Sequence, residues 1–504
     1  KADRNYEKIP PRPSEPIQAP MQYDFKSFAF RTRQVNPVLR PLRVKSEEVS
    51  RVYGGYLSAG YGNYASPYVE GFINSRRDKN KLIGAHGLFS GSDKGPVDEQ
   101  NSGSGLSKVS IYGKTFNEYV SLSGDVGFEN RTTHFYGYPD GTSVEAKDIK
   151  QAYNQFKMKG EIANAKASSF GYNLAAGFSY LADKFDATES EIDLDFASRY
   201  HISDDSGLGL SAGYYLINRK DALFEAAPRS LFFVNPRYEF YPMADLKVSA
   251  GMIAAIENDT IDNKNVHAYP DLKVSYPVSP SVELVGAFTG GIEKVSLQTL
   301  SNENIWIGAN IPIFHTNKAY DLQAALHTRI GNRVSLNGGF SIAGLKNWYF
   351  FVNSTADQSR FAPVYETGET VRSNFFASIG FAHEEYVNIL VRGDLFSYNT
   401  DKIEQAWHRP TYKVMADASF NIARKVLLDL SIISQGGVKA WDPALAQTVE
   451  LAPAFDLNIR TEYMISKSFS VFAQLNNITS NNYPLYLHYP VRGFQAIGGL
   501  TWSF

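Results

Sequence analysis

The sequence contains no cysteine, which rules out disulfides, thiol catalysis and thiolate metal sites and favours a cell-envelope protein over a cytosolic one. It lacks any stretch approaching the ~20 apolar residues needed for a membrane-spanning helix. It also lacks a charge bias: 50 basic residues face 52 acidic ones, so no general affinity for nucleic acid is expected. The nine histidines are scattered, with no H-x-x-x-H or HExxH spacing, so neither a metal site nor a cofactor is expected. Gly54–Gly55 and Gly498–Gly499 lack phosphate-loop spacing. Catalysis would need a His or Ser poised beside the acidic pairs, and nothing in the spacing supplies one. No catalytic residue is therefore expected, and the chain is not read as an enzyme. It begins at Lys1, with no initiator Met and no apolar h-region, as expected of a mature chain after signal-peptide cleavage.

What is present is aromatic and periodic. Aromatic residues make up 14% of the chain, nearly all of them the 31 Tyr and 33 Phe. From Phe455 to Tyr463, one face carries Phe455, Leu457, Ile459, Thr461 and Tyr463. The other carries Asp456, Asn458, Arg460 and Glu462. A strand separates these sets and a helix mixes them. The same separation sets Ile192, Leu194, Phe196 and Tyr200 against Glu191, Asp193, Asp195 and Arg199. It sets Phe232, Val234, Tyr238 and Phe240 against Asn235, Arg237 and Glu239. It recurs in Val387, Ile389, Val391 and Leu395 against Asn388, Arg392 and Asp394, and in Phe469, Val471, Ala473 and Leu475 against Ser470, Gln474 and Asn476. Leu390 and Phe472 fall on polar faces as exceptions. Such strands suit a membrane barrel with a wet or polar-filled lumen, and a negative mean hydropathy is compatible with one because only alternate residues meet lipid.

Short turns are expected near Asp204–Ser206, Pro242–Ala244, Pro277–Pro280, Gly331–Asn332, Glu384–Glu385, Ala423–Lys425 and Ser466–Lys467, with longer loops between them. Read back to Val52, the pattern gives about 22 strands, an even count that returns both chain ends to the periplasm. The expected fold is all-β: a transmembrane antiparallel up-and-down barrel over residues 49–504, preceded by an extended N-terminal arm. Phe494 to Phe504 reads as the closing strand, with Phe494, Trp502 and Phe504 as the terminal signal that assembly machinery of the outer membrane recognises. Lipid cannot satisfy an open edge, so this strand is expected to pair with the first.

Residues 1–48 differ in kind. They hold seven prolines (Pro10, Pro11, Pro13, Pro16, Pro20, Pro37 and Pro41), and up to Lys45 ten basic residues against four acidic. Proline removes backbone donors and favours extended structure. Two readings stand: a flexible periplasmic leader, or an ordered arm that buries Tyr23, Phe25, Phe28 and Phe30 in the lumen or against a partner.

Three patches carry a family resemblance: Gly60–Phe72 (GYGNYASPYVEGF), Ala406–Pro410 (AWHRP), and Leu475–Pro484 (LNNITSNNYP) leading into Gly493–Phe504 (GFQAIGGLTWSF). The chain resembles the barrel of TonB-dependent receptors, most closely a plugless group from Bacteroidota outer membranes. The family element N-L-x-N/D reads Gln474, Leu475, Asn476, Asn477 here, so its first position departs from the pattern. The resemblance implies an outer-membrane barrel. Family members carry a plug well over twice the length of residues 1–48, so energy-coupled import by this chain alone is not expected.

The residues expected to face the lumen are Asp193, Asp195, Arg199, Arg237, Glu239, Arg392, Asp394, Asp456, Arg460 and Glu462. Their signs are mixed along single strands, which fits mutually satisfied ladders better than an ion-selective ring. Trp348, Tyr349, Trp407, Tyr483 and Tyr486 lie near strand ends and are expected in interfacial girdles. Asp183, Asp186 and Glu189 are calcium-type ligands by chemistry, but a solvated loop is the expected state. Two functions follow: a transporter or porin-like channel, or a structural subunit of a larger outer-membrane assembly or secretion machine. The expected partners are outer-membrane lipid and lipopolysaccharide, the barrel assembly machinery during insertion, and other outer-membrane proteins or lipoproteins.

Overall fold

The computed structural model describes residues 54–75, 80–139, 141–166, 168–259 and 261–504; the Pro-rich arm, residues 1–48, lies outside them. Twenty-two antiparallel strands form one closed sheet in which each strand pairs with its sequence neighbours. The ring shuts where the first strand, Gly55–Gly62, pairs with the last, Gln495–Ser503, from Tyr56↔Ser503 to Gly62↔Ile497. The closing strand is one residue shorter at each end than Phe494 to Phe504. Phe504 still joins the seam, because its carbonyl accepts the N–H groups of Gly54 and Gly55 at 2.9 and 3.2 Å. Closure pairs the edge strands with each other, the condition for an all-strand structure in lipid.

The seven expected short turns all lie at one end of the barrel. Gly331, at φ +61°, turns the chain there between Thr316–Ile330 and Val334–Lys346. The other end carries the long connections, among them 294–315, 347–368, 437–453 and 477–494. Alternation sets the wall. In Ser104–Phe116, Val109 and Ile111 are 59% and 60% exposed on the outer face, as an apolar belt requires.

The two exceptions to alternation have different surroundings. Phe472 is buried on the inner face because glycine makes room for it. Its ring fills the space where side chains of Gly60 and Gly499 would stand, and those two glycines pair across the seam. The guanidinium of Arg460 lies over the same ring, 4.9 Å from its centre. Leu390 is flanked by Gly380 and Asp417 on the neighbouring strands and stays exposed.

Candidate functional site

The long loops fold over the barrel mouth and share one apolar core. Phe135 and Tyr136, Trp306 and Ile307, Trp348 to Phe351, Phe361, Trp407 and Tyr489 are all buried in it. These residues leave the wall at distant points of the ring. The loops after the fifth and fifteenth strands meet where the Arg360 guanidinium lies 4.6 Å from the Phe135 ring centre. Tyr136 and Trp306 both pack on Tyr489, with centroids 4.7 and 4.2 Å apart. Aromatic contacts of this kind stabilise by about 0.5–1.5 kcal/mol each beyond area burial. The structure therefore gathers long loops from distant points of the ring into one packed cap.

The cap is fastened to the wall through the short helix Leu297–Glu303. Ser296 caps it: its Oγ accepts the N–H of Thr299 at 3.2 Å, and Thr299 Oγ1 accepts the N–H of Ser296 in return. The Glu189 carboxylate on the wall accepts the N–H groups of Leu297 and Gln298 at 2.8 and 3.0 Å. With the Leu300 N–H on the Ser296 carbonyl, the four leading donors of the helix all have acceptors. Just before the helix, Lys294 donates to Glu191 at 2.9 Å and to Asp193 at 2.7 Å.

Charged groups then tie loop to loop. Arg409 donates to Glu303 at 2.5 Å and lies over the Trp348 ring, while the Tyr349 hydroxyl donates to the other Glu303 oxygen at 2.6 Å. Burial alone would lower the Arg409 pKa, but Glu303, together with Tyr349, Tyr486 and Tyr398, outweighs it and raises it. His408 receives the Leu487 N–H on Nε2 at 3.3 Å and donates from Nδ1 to the Phe351 carbonyl at 2.8 Å. That arrangement requires the neutral ring, and burial holds its pKa down at about 4. The Glu366 carboxylate takes the N–H groups of Gly368, Asp401, Lys402 and Ile403. Burial pushes its pKa up, and those four donors pull it below the usual carboxylate range.

A second junction centres on Arg229. Its guanidinium grips Asp259 through two hydrogen bonds of 2.7 and 2.6 Å and donates to the Val295 carbonyl at 2.9 Å. His315 Nδ1, fully buried, accepts from Val295 N–H at 3.1 Å and from Arg229 at 2.9 Å. Burial, with the Arg229 charge, lowers its pKa to about 3.

The charged residues singled out from the sequence are dispersed along the wall. Asp193 binds Lys294, and Asp195 accepts the Tyr215 hydroxyl at 2.6 Å. Glu239 gathers Arg199 at 2.6 Å, Lys247 at 3.3 Å and Arg237 at 4.0 Å. Arg392 grips Asp394 with two bonds of 2.8 Å. Asp456 accepts the Tyr483 hydroxyl at 3.2 Å, Arg460 reaches Gln474 at 3.5 Å, and Glu462 accepts the Ser470 hydroxyl. At the terminus, Trp502 and Phe504 are exposed and lie 4.8 Å apart, and Phe494 is exposed just before the last strand.

Two expectations are corrected. Trp348, Tyr349 and Trp407 are buried in the cap and do not form an interfacial girdle. Tyr486 packs against the same core and donates to the Glu303 carbonyl, and Tyr483 is turned to Asp456. Glu189 is not part of a solvated loop: it is 2% exposed and binds helix N–H groups. Asp183 accepts Gln151 and the N–H groups of Phe185 and Ala187, while Asp186 remains exposed. Among the described residues no three His, Asp or Glu side chains gather as metal ligands. Arg409, Glu303, Glu366 and His408 were not singled out from the sequence, although His408 and Arg409 sit within the AWHRP patch.

No protein-family model and no curated protein sequence matches the chain. Solved structures do match. The FrpB iron transporter of Neisseria meningitidis aligns at TM-score 0.69 and 8% identity, covering 90% of this chain and 82% of that one. A mutant ferric enterobactin receptor of Pseudomonas aeruginosa aligns at 0.66 and 10%, covering 89% and 81%. The siderophore receptor PirA of Acinetobacter baumannii aligns at 0.66 and 9%, covering 89% and 80%. At these identities the likeness is one of fold. The chain is similar in fold to the 22-strand barrels of TonB-dependent siderophore receptors.

Proposed function

We propose that this chain is an outer-membrane transporter barrel, with its short-turn end in the periplasm and its long loops outside, whose outer mouth is shut by its own loops. The observation that carries this reading is the loop cap on a wall of twenty-two strands. A ring of that size encloses more space than wall side chains fill, so it conducts unless something occupies it. Open porins leave an aqueous channel; here the long loops pack around a common core of Trp306, Phe351, Phe361 and Tyr489. Function then requires the cap to move. Mixed-sign pairs such as Arg392–Asp394 brace the wall in this reading, and the lumen-facing charges need not select ions.

The same cap supports a second reading, a structural subunit of an outer-membrane assembly, because a permanently shut barrel presents surfaces and not a path. Planar-bilayer conductance of the purified chain separates the two. A transporter stays quiet as wild type and shows stable steps once loop 294–315 is shortened to a turn. If the shortened barrel is folded and still silent, transport through this lumen is excluded. Stoichiometric co-purification of partners in mild detergent would then support the structural reading.

A further inference from the structure

Beneath the cap, against the seam side of the wall, lies a cavity of about 560 Å³. Strands on both sides of the closure line it through Tyr68, Asp456 and Gln474, and the cap roofs it with Tyr136, Trp306 and Arg492. Its volume lies within the range of small-ligand sites. Two of its charges are unmatched among the described residues. Arg492 makes one side-chain hydrogen bond, to the neutral hydroxyl of Ser104 at 3.2 Å. Among the described residues no carboxylate comes within 4.0 Å of it. Burial pushes its pKa down, and the charged forms opposing that shift are the tyrosines Tyr136 and Tyr64. Asp456 has the complementary deficit: Oδ2 accepts the Tyr483 hydroxyl, while Oδ1 is buried with no partner.

Every other buried cap charge described above is matched: Arg409 by Glu303, Arg229 by Asp259, Glu366 by four N–H groups. A half-buried guanidinium with no carboxylate partner and a buried carboxylate oxygen left open in one cavity are costly unless a ligand completes them. The side-chain amides of Gln474 and Gln495 line the same space and match peptide groups as both donor and acceptor. We propose that this cavity binds a small zwitterion, a short linear peptide, with its carboxylate on Arg492 and its ammonium on Asp456.

Equilibrium dialysis of the purified full chain against labelled trialanine, Ala-Lys-Ala and Ala-Glu-Ala tests this, with N-acetylated and C-amidated forms as comparisons. The expected result is saturable binding of at least one peptide, weakened about tenfold or more when either terminus is blocked. Arg492→Gln should abolish discrimination against the amide alone, and Asp456→Asn discrimination against the acetyl form alone. A merely structural role would not separate the two termini in this way. Retention of the folded barrel band on unheated gels checks that each variant is intact. Three outcomes overturn the proposal: no saturable binding by any of the peptides, equal binding after blocking either terminus, or variants that keep the wild-type discrimination. Binding is read at equilibrium, so the result does not depend on whether the barrel conducts.

Discussion

The guanidinium of Arg409 meets the carboxylate of Glu303 at 2.5 Å, joining a loop that leaves the wall after the thirteenth strand to one that leaves after the seventeenth. The pair is part-buried, with side chains 19% and 31% exposed, and it is enclosed by Trp348 and Tyr349. It is also connected to other loops, because the Glu303 carbonyl accepts the Tyr486 hydroxyl. The consequences can be measured without altering the wall.

Arg409→Ala and Glu303→Ala should each weaken the cap by about 1–3 kcal/mol, between the values for exposed and buried pairs. The double variant should cost less than the sum, since each single variant leaves the other charge without its partner. Native-state hydrogen exchange would show the loss in peptides from 294–315 and 400–411 while wall strands stay protected. Strictly additive effects would mean the two charges do not cooperate.

Acid should loosen the same region. His408 and His315 both accept backbone N–H groups on a ring nitrogen, so the folded cap holds them neutral, with pKa values near 4 and 3. Their unfolded values lie near 6.5. Below that pH the unfolded loops take up protons that the folded cap refuses. Stability is therefore full above about pH 6.5 and falls as the pH drops toward 4, by about 2 kcal/mol per histidine at pH 5. Cap exchange rates at pH 7.5 and pH 5 report this directly. In the His315→Asn, His408→Asn double variant the difference should disappear, and an unchanged pH response there would assign it to other groups.

The Lys294 link makes a further prediction. Its ammonium binds Glu191 and Asp193 together, and Glu191 is itself buried. Lys294→Met leaves two neighbouring carboxylates facing each other without a cation, a like-charge repulsion beside the helix anchor. The helix Leu297–Glu303 should then be anchored less firmly than in the wild type. Proteolysis of loop 294–315 at neutral pH measures it, with faster cleavage expected in the variant. Equal cleavage of variant and wild type would show that Glu189 alone anchors the helix.

The wall was legible in the sequence and the cap was not, for a physical reason. Strand alternation is local, so Phe455 to Tyr463 declares its two faces within nine residues, and repetition turns a weak sign into a fold. Cap contacts have no period: Arg409 finds Glu303 across 106 residues, and Arg131 finds Ser301 across 170. Trp348 and Trp407 stand beside strand ends, as girdle residues would. Only the inward fold of their loops, set by Glu366 and Glu303, tells the two arrangements apart. The AWHRP patch nevertheless marked a cap centre, because a Trp, a His and an Arg in succession hold a stacking face, a two-sided hydrogen-bonding ring and a charge. The arm, residues 1–48, lies outside the described residues.

Two adjacent glycines at the seam offer the sharpest test of the wall. A side chain at Gly499 would meet the Ala59 carbonyl at 2.3 Å and the Phe472 ring at 2.4 Å, whereas one at Gly498 meets nothing within 4 Å. The two positions face opposite sides of the same strand, Gly499 toward the Phe472 ring and Gly498 toward open space. Gly499→Ala should cost about 1–3 kcal/mol through overpacking. That loss falls on the pairing of Gly55–Gly62 with Gln495–Ser503, where the barrel closes. Gly498→Ala should be neutral or slightly stabilising, because alanine suits a strand better than glycine does. The temperature at which the compact band on gels is lost measures both. Phe472→Leu in the Gly499→Ala background should recover part of the loss and no more, since the Ala59 carbonyl stays in place. Equal melting of the two single variants would mean that the Phe472 notch does not hold the seam in register.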